Sequence, residues 1–310
     1  KDVQPDYMVF CRDNKEPSFR SELYPEYKAH RSEMPEDLSP QMPYIHKLVE
    51  ILGIPQIDKL GFEADDVIGT LAKYGEDKGW EVVIVSGDKD FAQLIDSKTI
   101  MYDTMKNKVY DEQGVVDKWG VHPDQFIDYL ALIGDSSDNI PGVRGVGPKT
   151  AEKLLAQYKT LEGIYDNIDE IKGKALKAKL IEHKDMAYLS KELVTIVCNI
   201  DLGVGDEDLK LKPIDREALS EILSELEFKS FEKKLFASRE KNGDIKKDLS
   251  PRKSKSKKVG IENHNKEMAK PTKIKVTESP SLSGVDTVTM DTAHLRSSIA
   301  PYSEVWAGQA

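Results

Sequence analysis

Carboxylates crowd four short stretches of this chain in a pattern that suits divalent-metal chemistry. They are Asp13; then Glu63, Asp65 and Asp66; then Asp88 and Asp90; then Asp135 and Asp138. None stands in a metal-ligand pattern with histidine or cysteine, which favours hard, oxygen-preferring ions such as Mg2+ or Mn2+. Two such ions close together can activate a water and stabilise both oxygens of an in-line phosphoryl displacement. Without a cation, acids converging on one pocket repel one another. Taken singly, each group has an ordinary explanation, because acids in the first turn of a helix complement its dipole. The chemistry lies in the combination.

Directly after the last two acids comes a glycine-spaced turn, Gly142, Gly145 and Gly147, running into a helical pattern with Lys149 and Thr150 at its mouth. Glycine lets backbone N–H groups approach an anion, and a helix N-terminus favours negative charge. A Walker A loop is excluded because Pro148 intrudes before Lys149, and a dinucleotide fingerprint would need glycine where Thr150 stands. An EF-hand loop is excluded because its ligands alternate around a glycine at the sixth position. What remains is the hairpin of a helix-hairpin-helix element, which grips a nucleic-acid backbone without reading its bases. Between Glu16 and Pro40 a polar stretch carries Arg20, Tyr27, Lys28 and Arg31. It reads either as a solvated surface segment or as a basic, aromatic arch that holds single-stranded nucleic acid by charge and stacking.

These residues need elements to hold them. Tyr7–Cys11, Glu81–Ser86, Thr99–Asp103 and Lys108–Tyr110 have strand patterns, and acids at the C-terminal ends of strands sit where parallel α/β sheets bind ligands. Helical spacing runs from Met42 to Leu52, from Glu63 through Ala72, from Asp111 to Gly120, and from Pro123 to Ile133. Beyond Thr150 the pattern is helical to Leu193, followed by an expected strand at Val194–Asn199 and a last helix pair over Arg216–Phe236. The fold class is therefore α/β, a mostly parallel sheet with flanking helices, followed by a helical subdomain.

The 310 residues suffice for one large or two modest domains, and the net charge of −10 runs against the usual basic balance of DNA-binding proteins. Metal-binding carboxylates account for part of that excess. From Arg239 to Lys275 the balance reverses, with 13 basic residues against 5 acidic. Residues 237–280 are accordingly expected to be a basic flexible linker. Residues 281–310 are expected to begin a further domain, with a strand at Thr287–Met290 and a helix at Thr292–Ile299. Cys11 and Cys198 are the only cysteines and imply neither a disulfide framework nor a zinc site. We expect a monomer in a reducing cytoplasm, with no apolar run able to span a bilayer.

The runs Asp13-Asn-Lys-Glu-Pro-Ser-Phe-Arg20, Tyr27-Lys28-Ala-His-Arg31, Gly61-Phe-Glu-Ala-Asp-Asp66, Ser86-Gly-Asp-Lys-Asp90 and Gly134 to Thr150 occur in one order across residues 1 to 236. Together they resemble the 5′-nuclease domain of bacterial DNA polymerase I, part of the flap endonuclease family. The resemblance implies a PIN-like (resolvase-like) core at 1–133 with a helical arch at about 16–40, and a helix-hairpin-helix subdomain at 134–236. It implies metal ligation by Glu63, Asp65, Asp88, Asp90 and Asp138, followed by Asp13, Asp66 and Asp135, for two Mg2+ or Mn2+ ions. It gives Lys28 and Arg31 the scissile phosphate, makes Tyr27 their aromatic neighbour, and lets the hairpin at 142–149 hold a monovalent cation through backbone carbonyls. Arg20, Tyr27, Gly142, Gly145, Gly147, Lys149 and Thr150 are expected to contact DNA. The implied activity is 5′→3′ exonuclease and flap endonuclease action, removing 5′ flaps and RNA primers in replication and repair. The implied setting is the bacterial nucleoid, beside polymerase domains on the same chain, with 281–310 opening a 3′→5′ exonuclease-like domain. Such domains begin with a strand bearing an Asp in a run like Asp-Gly-x-x-x-x-x-Arg-Ala. Nothing like it precedes Asp13, so a sheet short of one central strand and a cluster short of one acid are expected. A DNA-junction-binding module without catalysis is the rival reading, and a PIN-type RNA endonuclease, which would not need the hairpin, is a third.

Overall fold

Short runs rich in β-branched residues build the sheet, as the sequence pattern predicts. The computed structural model describes residues 5–32, 34–228, 230–231 and 304–308. Its strands are Val9–Cys11 (β1), Gln56–Ile57 (β2), Glu81–Val85 (β3), Thr99–Asp103 (β4), Lys108–Tyr110 (β5) and Glu304–Gly308 (β6). They form one sheet in the order β2-β1-β6-β3-β4-β5, parallel throughout except for the antiparallel β4–β5 pair. β3 (EVVIV) buries Val82, Val83 and Ile84, as expected of an interior parallel strand.

The central position departs from expectation. The slot between β1 and β3 is filled by β6, with Ala307 opposite both Val9 and Ile84. Residues 304–308 thus take a place in this sheet, between β1 and β3. The rest of the stretch expected to open a further domain, with its strand at 287–290 and helix at 292–299, lies outside the described residues. So does the expected linker at 237–280.

The helices are Phe19–Leu23 (α1), Met42–Ile51 (α2), Ala64–Asp77 (α3), Glu112–Trp119 (α4), Phe126–Ile133 (α5), Pro148–Tyr158 (α6), Leu161–Asp166 (α7), Lys174–Glu182 (α8), Lys184–Val194 (α9) and Arg216–Glu225 (α10). α3 lays Val67, Ile68, Leu71 and Ala72 into the core against β1 and β3. α4 starts on Asp111, whose carboxylate accepts from the Gly114 N–H at 2.8 Å, and stops on left-handed Gly120. α5 packs between α6 and α9 and carries the helical half. The expected arch is a short α1 followed by turns at 25–30 and a 3-10 helix at Ser39–Gln41.

The strand expected at Val194–Asn199 does not form. Val194 closes α9, Thr195 is extended, and residues 195–200 pair in no strand among the described residues. Their backbone groups are met by side chains instead. Ile196 N–H donates to Gln93 Oε1, Val197 N–H donates to Asp66, and the Thr70 hydroxyl donates to the Val197 carbonyl. Ile196 still faces the core, which produced the strand-like apolar pattern.

Candidate active site

Three elements deliver the acids to one place. β3 runs out into a 3-10 helix at Lys89–Leu94, where the Asp88 carboxylate accepts from the Asp90 N–H at 3.0 Å and so fixes both residues at the strand's end. α3 begins with Glu63 as its N-cap and Asp65 in its first turn. Between α5 and α6, reciprocal bonds join Asp135 N–H to the Ile140 carbonyl (2.9 Å) and Ile140 N–H to the Asp135 carbonyl (2.7 Å). That tight loop buries Asp135 and Asp138, at 7% and 9% exposure.

The electrostatics show that these groups share one field. Burial pushes the Asp65 carboxyl well above the usual range, and Asp88, Glu63 and Asp13 add to the rise. Burial likewise pushes Asp90 up to about 7, with Asp88, Asp135 and Asp138 contributing. Asp65 Oδ1 and Asp90 Oδ1 are buried without a hydrogen-bond partner. Unpaired, buried carboxylate oxygens in a crowd of like charge are what a hard divalent cation would satisfy, so the donor set fits such ions. Among the described residues, no three carboxylates already close around a single point as a metal cage.

Basic and aromatic side chains cover the cluster's open side. Lys28 Nζ donates to Glu63 Oε2 at 3.0 Å and lies 3.6 Å from Asp138 Oδ2. Arg31 Nη2 donates to Asp138 Oδ1 at 2.5 Å, and the Tyr27 hydroxyl donates to Glu63 Oε2 at 3.0 Å. Burial would lower the Lys28 ammonium, but Glu63 and Asp138 outweigh it, so it stays charged. Burial first, then Glu63 and Asp138, raises Tyr27, which remains a neutral donor. Lys28 reaches its position with φ 55°, and Asn139 opposite has φ 58°. Two non-glycine residues in left-handed geometry need support. It comes from the Lys28 N–H donating to the Asp138 carbonyl at 2.9 Å and from Asn139 Nδ2 donating to the Glu26 carbonyl at 2.7 Å.

Two expected site residues lie elsewhere. Arg20 and Asp66 are 2% and 0% exposed and are paired with each other through two 2.7 Å bonds. Arg20 is therefore not placed to touch DNA, and Asp66 is not directed into the acid cluster. A carboxylate cannot be taken out of water without a partner, and here the partner is Arg20. Asp13 sits at the cluster's edge, exposed, with Oδ1 accepting from the Ala64 N–H at 2.8 Å. Three residues not anticipated from sequence also belong here. Ser18 Oγ donates to Glu63 Oε1 at 3.0 Å, Lys89 Nζ donates to Asp135 Oδ2 at 2.6 Å, and buried Ser190 Oγ accepts from the Gly142 N–H at 2.9 Å. Lys89, between Asp88 and Asp90, and Ser18, within the run from Asp13 to Arg20, lie in stretches the sequence singles out, whereas Ser190 does not.

The hairpin residues divide by role. Gly142 has φ 59°, and a Cβ there would meet the Gly134 nitrogen at 2.3 Å, so glycine is required by close backbone packing. Gly147 precedes α6 with nothing within 4 Å of a Cβ position. Lys149 is exposed and Thr150 half-buried in the first turn of α6. No helix among the described residues is long and apolar enough to cross a membrane.

Comparison with known proteins agrees with this architecture. Residues 1–120 match the model of the 5′-3′ exonuclease N-terminal resolvase-like domain, and residues 121–217 that of the 5′-3′ exonuclease C-terminal SAM fold. DNA polymerase I of Caldicellulosiruptor bescii is 44% identical over 238 residues, covering 75% of this chain and 28% of that protein. DNA polymerase I of Bacillus subtilis is 42% identical over 239 residues, covering 76% and 27%. The chain thus spans little more than a quarter of the length of these relatives. A solved structure of T5 5′-exonuclease with bound zinc superposes with a TM-score of 0.55 at 26% identity, covering 70% of this chain and 83% of that one. With both domains matched in order, the acids at strand and helix ends of the first and the hairpin in the second, the chain belongs to the 5′-3′ exonuclease family.

Proposed function

We propose that this chain is a divalent-metal-dependent, structure-specific 5′-nuclease that hydrolyses phosphodiesters near a junction of duplex and single strand. The observation that carries this reading is the meeting of Lys28 and Arg31 with Glu63 and Asp138 beside the unpaired oxygens of Asp65 and Asp90. Asp65, Asp88, Asp90, Asp135, Asp138 and Glu63, with Asp13 at the edge, would hold the ions, Mg2+ or Mn2+ and two in number. When bound, these would supply Lewis-acid charge and an acidified water. Lys28 and Arg31 would offer their cations to the phosphate's transferring oxygens, where charge develops. Tyr27 would fix the Glu63 carboxylate. The loop from Gly142 to Thr150 would hold the duplex backbone through its N–H groups, with a monovalent cation on its carbonyls, and set no base preference.

The relatives are DNA polymerases I, so removal of 5′ flaps and RNA primers beside polymerase domains in the bacterial cytoplasm belongs to the same proposal. The rival reading is a junction-binding module without catalysis, which follows from the expected lack of one acid-bearing strand. Substrate comparison separates the two. With Mg2+, a flap duplex should release short 5′ products while plain single strand and blunt duplex stay intact. Flap binding without any cleavage would favour the module, and equal cutting of single strand would contradict junction specificity.

A further inference from the structure

The pair that left the expected site has a position of its own. Arg20 lies on α1, at the root of the stretch carrying Tyr27, Lys28 and Arg31. Its Nε donates to the Leu193 carbonyl at 2.8 Å and its Nη2 to the Thr195 carbonyl at 2.7 Å, besides the fork on Asp66. Asp66 lies in the first turn of α3. Its Oδ1 also accepts from the Val197 N–H at 2.9 Å, and its Oδ2 from the Glu63 N–H at 3.1 Å. A carboxylate offers about four acceptor sites, and all four are taken, so Asp66 has no lone pair to spare for an ion. Arg20 Nη1 also lies 3.7 Å from Glu63 Oε2, so the fork touches the acid that Lys28 and Tyr27 contact.

Four segments meet at this fork: α1, the first turn of α3, the end of α9, and residues 195–197. The first two lie within the resolvase-like domain and the last two within the SAM fold. The same α9 holds the hairpin, through Ser190 Oγ and the Gly142 N–H. A planar, bidentate guanidinium–carboxylate pair fixes both distance and angle, which a lysine in its place would not.

We infer that Arg20 and Asp66 are a positioning pair, a brace that fixes the spacing between the acid cluster and the duplex-holding hairpin and thereby selects which phosphodiester is cut. The inference rests on the nuclease reading above. If the brace sets the spacing, loosening it lets neighbouring phosphodiesters reach the acids, and the cut position spreads.

The test compares this chain with its Arg20→Lys and Asp66→Asn variants on a 5′-labelled flap duplex, and counts the Mn2+ ions bound by each protein. Both variants should spread the product over adjacent positions and lower kcat about tenfold, with KM moving less than about threefold. The double variant should be no worse than either single one, because both remove the same interaction. Asp66→Asn should bind as many Mn2+ ions as the parent, and exchange of its Val197 amide should speed up. An unchanged product distribution would reduce the pair to a stability role and overturn the inference. Loss of one ion in Asp66→Asn would make Asp66 a ligand, and a raised KM at unchanged kcat in Arg20→Lys would make Arg20 a DNA contact. Either overturns it as well. If Arg20→Lys does not fold, Asp66→Asn decides by ion number and product spread. If the parent chain itself cuts nothing, the nuclease reading fails, and the brace stands or falls on ion number and Val197 exchange.

Discussion

Asp90 shows how the site's charge is tied to pH. Its carboxyl rises from an ordinary value of 3.8 to about 7, through burial first and Asp88 next, and Asp65 moves the same way. Between those two values the folded chain holds a proton that the unfolded chain has released. Stability from this group is therefore greatest below about pH 4 and falls as pH rises towards 7, the reverse of a salt-bridged aspartate. Metal-stripped protein should lose Tm across that window, Asp90→Asn should flatten the slope, and Mg2+ should restore Tm near neutrality. A melting temperature that rises with pH in the stripped protein would contradict the burial of Asp90. Lys28 gives a second prediction. Replacing it with Ala leaves Glu63 and Asp138 without their shared cation and should lower flap cleavage about a hundredfold with affinity little changed. Loss of binding at an unchanged turnover would place Lys28 on the substrate's path and away from the chemistry. At this scale the sequence disclosed most of the acids, because Asp88, Asp90, Asp135 and Asp138 sit at element ends within recognisable runs. It misplaced Arg20 and Asp66. Both look like surface charges in their own segments, and only the packing of α1 against α3 and residues 193–197 buries them.

At the scale of elements, the hairpin between α5 and α6 separates folding from binding. Gly142→Ala would drive a Cβ into the Gly134 backbone from a left-handed φ, and should cost a few kcal/mol, about what a strained, overpacked backbone position costs. Gly147→Ala meets nothing and should leave Tm within a degree or two while weakening duplex binding, if the turn's backbone approaches phosphate there. Thermal melts and duplex titrations of the two variants check both halves. A Gly147→Ala protein that binds duplex normally would remove that residue from the interface. β3 and α3 were legible from local patterns, since an apolar EVVIV run and a 3.6-residue apolar period each have one comfortable partner. The segment after α9 was not, because its apolar alternation is matched by burial while its hydrogen bonds go to Gln93, Asp66 and Thr70 in place of a neighbouring strand.

At the scale of the whole molecule, the central slot of the sheet taken by residues 304–308 could not be foreseen from local pattern, because it pairs segments far apart in sequence. The two-part organisation could, because the apolar period changes from strand-like to helical near the hairpin. An acidic protein of net charge −10 is a poor general binder of nucleic acid. It becomes a plausible nuclease only if its acids are gathered for metal and its cations are aimed from a few positions, which is the arrangement of Lys28, Arg31 and the hairpin. The most direct test is cleavage of a 5′-labelled flap duplex by this chain, with Mg2+ and with EDTA, beside its Asp88→Ala variant. Metal-dependent cleavage at the acid cluster predicts short 5′ products that disappear both with EDTA and with Asp88→Ala. Cleavage that persists in EDTA, or that survives Asp88→Ala at the parent's rate, would contradict it.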